Sequence, residues 1–145
     1  TQGRLRLKTK NALLLIGCFL FVSHSMAQTI EDESVAWLQQ FIQIDTINPP
    51  GNESRAVDFY AAIFEAEGIE YETAESAPGR GNIWARLEGG NETGLMMLQH
   101  TDVVPADPEY WTIDPLSGEI RDGYILGRGA RDMKGHGNIA ASGIP

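Results

Sequence analysis

The apolar positions change rhythm several times along the chain, and each rhythm predicts a different element. Val35, Leu38, Phe41 and Ile42 recur at helical spacing. They follow Thr29, a capping hydroxyl, and Asp32 and Glu33, acids suited to the positive end of a helix dipole. An amphipathic helix over about 31–44 is predicted. The run Asp45-Thr46-Ile47-Asn48-Pro49-Pro50-Gly51-Asn52 stops it, because prolines donate no backbone hydrogen bond. A second helix is predicted over about 53–67, with Val57, Tyr60, Ala61 and Phe64 as its stripe and Gly68 as its C-terminal cap.

The period then falls to two. Ile69, Tyr71 and Thr73 alternate with acids, and Ile83, Ala85 and Leu87 alternate beyond a Pro-Gly loop, so two half-buried strands are predicted. Gly94-Leu95-Met96-Met97-Leu98 is instead a continuous apolar run, which suits a central strand covered on both faces. Asp122-Gly123 between Glu119-Ile120-Arg121 and Tyr124-Ile125-Leu126 is a hairpin signal. A glycine-rich stretch, Gly127 to Gly135, then leads toward another helix. Helices on either side of strands point to a layered α/β fold.

The first 27 residues follow none of these rhythms. Arg4, Arg6, Lys8 and Lys10 precede an apolar run of 11 residues, Ala12 to Val22, and then Ser25-Met26-Ala27. This is the layout of a secretory signal, cleaved after Ala27, and the run is shorter than the ~20 residues that span a bilayer as a helix. The expected division is a signal peptide at 1–27, with no membrane span, and one region at 28–145. The protein is expected to be exported, periplasmic or secreted. Leu15-Ile16-Gly17-Cys18 offers an alternative, a lipoprotein anchored at Cys18.

Charge sharpens this division. The 145 residues carry a net −9, but the first 27 hold four basic residues and no acid, so the remaining 118 carry −13. That balance excludes a nucleic-acid partner. A single cysteine excludes a disulfide framework and a multi-cysteine zinc ribbon. Asn52-Glu53-Ser54 and Asn91-Glu92-Thr93 match the glycosylation sequon but read more simply as turns.

Two clusters carry chemistry. Gln99-His100-Thr101-Asp102 ends the apolar run, where open α/β sheets bind ligands. Residues i and i+2 of an extended segment face one side, so Asp102 can orient the His100 imidazole. His-x-Asp alone reads equally as a structural pair. Gly127-Arg128-Gly129-Ala130-Arg131-Asp132-Met133-Lys134-Gly135 lacks the spacing of a P-loop. Arg128 and Lys134 are either contacts for an anionic substrate or neutralising neighbours.

The two clusters belong to a longer ordered set: Leu98-Gln99-His100-Thr101-Asp102-Val103-Val104-Pro105, Trp111, Asp114-Pro115-Leu116-Ser117-Gly118, Arg121-Asp122-Gly123, and Gly127-Arg128-Gly129-Ala130-x-Asp132-Met133-Lys134-Gly135. With the Asp45-to-Gly51 loop, this set resembles the N-terminal part of the co-catalytic zinc hydrolases that include glutamate carboxypeptidase, aminoacylase, acetylornithine deacetylase and succinyl-diaminopimelate desuccinylase. The resemblance runs from about Val35 to Lys134. It implies part of a three-layer α/β/α zinc-peptidase-like domain, ending before a second domain that serves as lid and dimer interface, and hence a homodimer formed through that domain. It implies His100 as a metal ligand, Asp132 as the carboxylate bridging two metals, Asp102 as the catalytic carboxylate that orients His100, and a cis peptide at Asp132–Met133. The implied cofactors are two divalent ions, zinc first and cobalt or manganese as alternatives.

The implied substrate is a small peptide or N-acyl amino acid, cut at the amide beside a free carboxylate by metal-activated water. No substrate-binding residue is assigned. The family also needs a Glu-Glu pair, a further acidic ligand and a distal histidine. None is assignable here, and His136 reads as structural. The chain alone is therefore expected to be inactive. The alternative reading is a non-catalytic relative, or a truncated chain acting as a binding protein.

Overall fold

The computed structural model describes residues 29–143. The signal-like segment at 1–27 and Cys18 lie outside them. Helix α1 spans Ile30–Gln43 and helix α2 spans Ser54–Ala66. Strands β1 (Tyr71–Glu75) and β2 (Gly81–Ala85) follow, then a 3-10 turn at Pro108–Tyr110. Strands β3 (Glu119–Arg121) and β4 (Tyr124–Leu126) precede helix α3, Lys134–Ser142.

The helix ends form as their residues dictate. Thr29 accepts a hydrogen bond from the Asp32 N–H at 3.1 Å, so the predicted cap is in place. At the end of α2, Gly68 adopts a φ of +68°, the Ile69 N–H donates to Phe64 O, and the Gly68 N–H donates to Glu65 O. This pair of bonds is a Schellman closure. The buried face of α2 is Ala56, Tyr60 and Ile63, rotated from the predicted stripe, of which only Tyr60 is fully buried.

The core is aromatic. Phe41 of α1 stacks on Phe59 at 5.2 Å and meets the edge of Tyr60 at 5.1 Å. Ala56, Ile63 and Ala141 complete the buried cluster, with Trp37, Ile44, Phe64 and Ile83 packed around it. Helix α1 lies on α3, where the Asn138 amide donates to Ser34 O at 2.7 Å. Helix α2 lies on the β1–β2 pair.

Both sheets among the described residues are two-stranded and antiparallel: β1 with β2, and β3 with β4. Asp122 (φ +52°) and Gly123 (φ +81°) form the turn of the β3–β4 hairpin, as predicted. Mixed helix and strand content fits the α/β class.

The predicted central strand does not form. Leu95, Met96, Met97 and Leu98 are 87, 81, 63 and 81% exposed, and no strand is assigned there. A central strand needs a partner on each side for its backbone groups. Among the described residues such pairing begins only at Val103, which makes a parallel bridge with Ile47. The Val103 N–H donates to Thr46 O at 3.0 Å, and the Asn48 N–H donates to Val103 O at 2.9 Å.

Candidate metal site

That bridge sets the position of the site. It holds the Asp45-to-Gly51 loop beside the segment carrying His100 and Asp102, and the Thr46 hydroxyl adds a bond to Thr101 O at 2.7 Å. Asp132 arrives from the other side, on the turn between β4 and α3. There Gly129 has a φ of +88° and its carbonyl accepts the Lys134 N–H at 2.9 Å. The Asp132–Met133 peptide is cis, and the His100 N–H points to Met133 Sδ at 3.4 Å.

His100 stands between two carboxylates. Its Nδ1 lies 3.1 Å from Asp102 Oδ1 and 3.0 Å from Asp102 O, and its Nε2 lies 3.2 Å from Asp132 Oδ1. Burial works against a charged imidazole, but the bonds to Asp132 and Asp102 outweigh it and hold the His100 pKa above its ordinary value. The Asp102 carboxyl is held below its ordinary value, first by the Asn48 amide donating to Oδ2 at 2.9 Å and then by His100.

The three predicted residues thus come together. The donors suit a divalent ion. One imidazole nitrogen and one carboxylate oxygen 3.2 Å apart match two ligands of a single ion bound at about 2.0–2.1 Å to each. The set is short: among the described residues no three His, Cys, Asp or Glu side chains converge to hold a metal. Asp132 is also largely solvent-facing, at 88% side-chain exposure. An apolar hollow of about 230 Å³, lined by Ile30, Trp37, Ile63 and Ala141, borders none of the three residues.

Both cations left open as substrate contacts have partners within the fold. Lys134 is fully buried, and its ammonium donates to Phe41 O at 2.8 Å and Ile44 O at 2.7 Å, over the Phe41 ring. It caps the carbonyl end of α1 and ties the Asp132 turn to it. Burial pushes its pKa down to about 8. Arg128 stacks on Trp111 at 5.2 Å and donates to Pro105 O at 3.4 Å, tying the 105–111 loop to the glycine-rich turn. His136, read as structural, is exposed on α3.

The residues that sequence reasoning missed lie behind Asp102. Arg80 Nη1 donates to Asn48 Oδ1 at 3.2 Å, and Arg80 Nε pairs at 2.9 Å with Glu53, which is 6% exposed. Asn48 stood in a motif already singled out. Nothing in the sequence tied Arg80, 32 residues later, to it.

Comparison with known proteins converges on the same region. Residues 96–144 match the profile described as Peptidase family M20/M25/M40. Aminoacylase-1 of Sus scrofa is 36% identical over 107 residues, 72% of this chain and 26% of its own length. A succinyl-diaminopimelate desuccinylase of Xanthomonas euvesicatoria pv. vesicatoria is 54% identical over 55 residues, 37% of this chain and 14% of its own. The succinyl-diaminopimelate desuccinylase 2 of Ruegeria is 36% identical over 107 residues, 71% of this chain and 26% of its own. The chain spans about a quarter of the length of the aminoacylases it matches.

Proposed function

We propose that the chain, whose residues 96–144 match Peptidase family M20/M25/M40, supplies part of the metal site of an amide hydrolase. The observation that carries this reading is His100 held between Asp102 at 3.1 Å and Asp132 at 3.2 Å. The intact enzyme is a metallo-exopeptidase or N-acyl-amino-acid deacylase, cutting the amide beside a free carboxylate of a small peptide or acylated amino acid. The aminoacylase and desuccinylase names of its relatives support that substrate class.

His100 and Asp132 are the residues that would hold the cation, Asp132 in the bridging role that the family resemblance implies. When bound, two divalent ions, zinc by this donor chemistry, would supply an activated water and a positive field for the developing oxyanion. Asp102 keeps the Nδ1 proton and so leaves the Nε2 lone pair for the ion. The exposed carboxylate of Asp132 keeps this side of the site open to solvent and substrate. The enzyme is exported by the 1–27 segment and pairs as a homodimer through a further domain.

The 145-residue chain by itself is inactive and binds zinc weakly, because only two ligands are gathered among its described residues. That shortfall is also what favours the second reading, a binding protein that keeps the fold without the chemistry. Zinc titration by calorimetry, with an amidase assay on N-acyl amino acids, tests both. Weak binding that His100→Ala abolishes, without turnover, is the expected result. Robust hydrolysis by the 145-residue chain overturns its inactivity, and no zinc binding at all overturns the metal reading.

A further inference from the structure

Behind the carboxylate that orients His100 lies a chain of polar groups drawn from three separate segments. Glu53, nearly buried at the start of α2, pairs with Arg80 Nε at 2.9 Å. Arg80 lies on the loop between β1 and β2, and its Nη1 donates to Asn48 Oδ1 at 3.2 Å and to Pro50 O at 3.3 Å. Asn48 Nδ2 donates to Asp102 Oδ2 at 2.9 Å, and Asp102 Oδ1 faces His100 Nδ1 at 3.1 Å.

The order of donors in this chain is fixed. A guanidinium only donates, so the end of the Asn48 amide facing Arg80 must be its oxygen. The other end is then the NH₂, which only donates, and it must meet an acceptor. Asp102 supplies one. With Oδ2 held by Asn48, the second oxygen, Oδ1, is left for the imidazole. The ring nitrogen it meets must carry a proton. Were the amide reversed, its oxygen would face a carboxylate oxygen and its NH₂ a guanidinium, and both contacts would be repulsive.

We propose that Asn48, its amide direction set by Arg80, is a positioning residue that fixes the Asp102 carboxylate, which joins the Asp102 carbonyl oxygen in holding the Nδ1–H tautomer of His100 and so leaves Nε2 as the metal-binding nitrogen. The proposal rests on the reading of His100 as a metal ligand. Its effect on the tautomer is separately observable. Groups one step behind a metal ligand change metal affinity by about 10–100-fold when removed, and Asn48 acts one step further back, so about a tenfold loss is expected.

The experiment uses the 145-residue chain in three forms: unaltered, Asn48→Leu and Arg80→Met. Asn48→Leu removes the amide donor. Arg80→Met frees the amide to turn while leaving Asn48 in place, and it keeps the test alive if Asn48→Leu fails to fold. Long-range ¹H–¹⁵N NMR reads the His100 ring nitrogens without metal, at a pH where the imidazole is neutral, and calorimetry reads zinc binding. The unaltered chain is expected to carry the proton mainly on Nδ1, where Asp102 offers both Oδ1 and its carbonyl oxygen against the single Asp132 oxygen facing Nε2. Both variants are expected to raise the Nε2–H share, the Asp102 carbonyl keeping part of the proton on Nδ1, and to bind zinc about tenfold more weakly. A variant that keeps both the tautomer and the zinc affinity of the unaltered chain overturns the proposal and leaves the metal reading standing. Zinc binding absent from all three forms, with the tautomer shifting as expected, overturns the metal reading alone.

Discussion

The turn that delivers Asp132 depends on a glycine whose replacement has a calculable effect. Gly129 has a φ of +88°, and a Cβ added there would sit 2.7 Å from Val103 Cγ1 and 3.2 Å from Lys134 Cδ. Two penalties follow. The left-handed backbone costs an L-residue about 1–2 kcal/mol, and forcing a methyl into packed surroundings adds about 1–3 kcal/mol. The neighbours have little room to yield, because Lys134 is anchored by two carbonyls and Val103 by the bridge to Ile47. Gly68 provides the control. Its φ is +68°, and a Cβ there would meet nothing within 4 Å, so Gly68→Ala carries the backbone penalty alone.

Gly129→Ala is therefore expected to destabilise by about 2–5 kcal/mol and Gly68→Ala by about 1–2 kcal/mol. With a urea slope of about 2 kcal/mol per molar, the midpoints fall by about 1–2.5 M and 0.5–1 M. Urea denaturation followed by circular dichroism reads both. Equal shifts in the two variants would refute the reasoning, since crowding at Gly129 would then contribute nothing.

Four further outcomes are expected. Lys134 binds its proton less tightly in the fold (pKa about 8) than unfolded (10.5), so the unfolded chain holds more protons between those values; stability rises as pH climbs from about 8 to 10.5, and Lys134→Met removes that slope in urea midpoints. The raised pKa of His100 gives stabilisation that is complete below 6.5 and lost as pH rises through its folded value. The lowered pKa of Asp102 gives stabilisation present above 3.8 and lost as pH falls through its own. The pair therefore contributes most between about pH 4 and 6.5, modestly because both groups are partly solvated, and a midpoint series in which His100→Gln shows the same profile would contradict it. Gly137→Ala sets a methyl against the Gln99 side-chain amide, turning aside the movable end of the residue before His100, and is expected to weaken zinc binding by less than Asp132→Asn in a calorimetric titration. Asp132→Asn removes one of the two gathered ligands and is expected to abolish zinc binding while leaving the circular dichroism spectrum unchanged.

Local chemistry was legible and long-range partnership was not. Thr29, Gly68 and the Asp122-Gly123 turn declare themselves because each acts on its own neighbours in the chain. His100, Asp102 and Asp132 could be singled out by type and order, and their approach follows from the turn and the bridge. The Gly94–Leu98 run misled because apolar composition reports what a segment can be covered by. Whether it forms a strand depends on partners that composition does not name, and its side chains are exposed among the described residues. The sequence left Lys134 open, as a substrate contact or a neutralising neighbour, because the Phe41 and Ile44 carbonyls that hold it inside lie some 90 residues earlier. Arg80 carried no signal at all, since it meets Asn48, 32 residues away, only through the packing of β1 and β2 against α2.

The spread of the site along the sequence also sets when it can exist. Asn48, Arg80, Asp102 and Asp132 enter in that order during synthesis or threading through a pore, and the Ile47–Val103 bridge closes a loop of more than 50 residues before His100 has a fixed surrounding. Until Asp132 has emerged and its turn has docked, His100 is an ordinary imidazole with no second donor beside it. Under the proposed reading, a chain that crosses a membrane unfolded carries no assembled ion site through the passage, and an ion would be drawn from the compartment in which it folds.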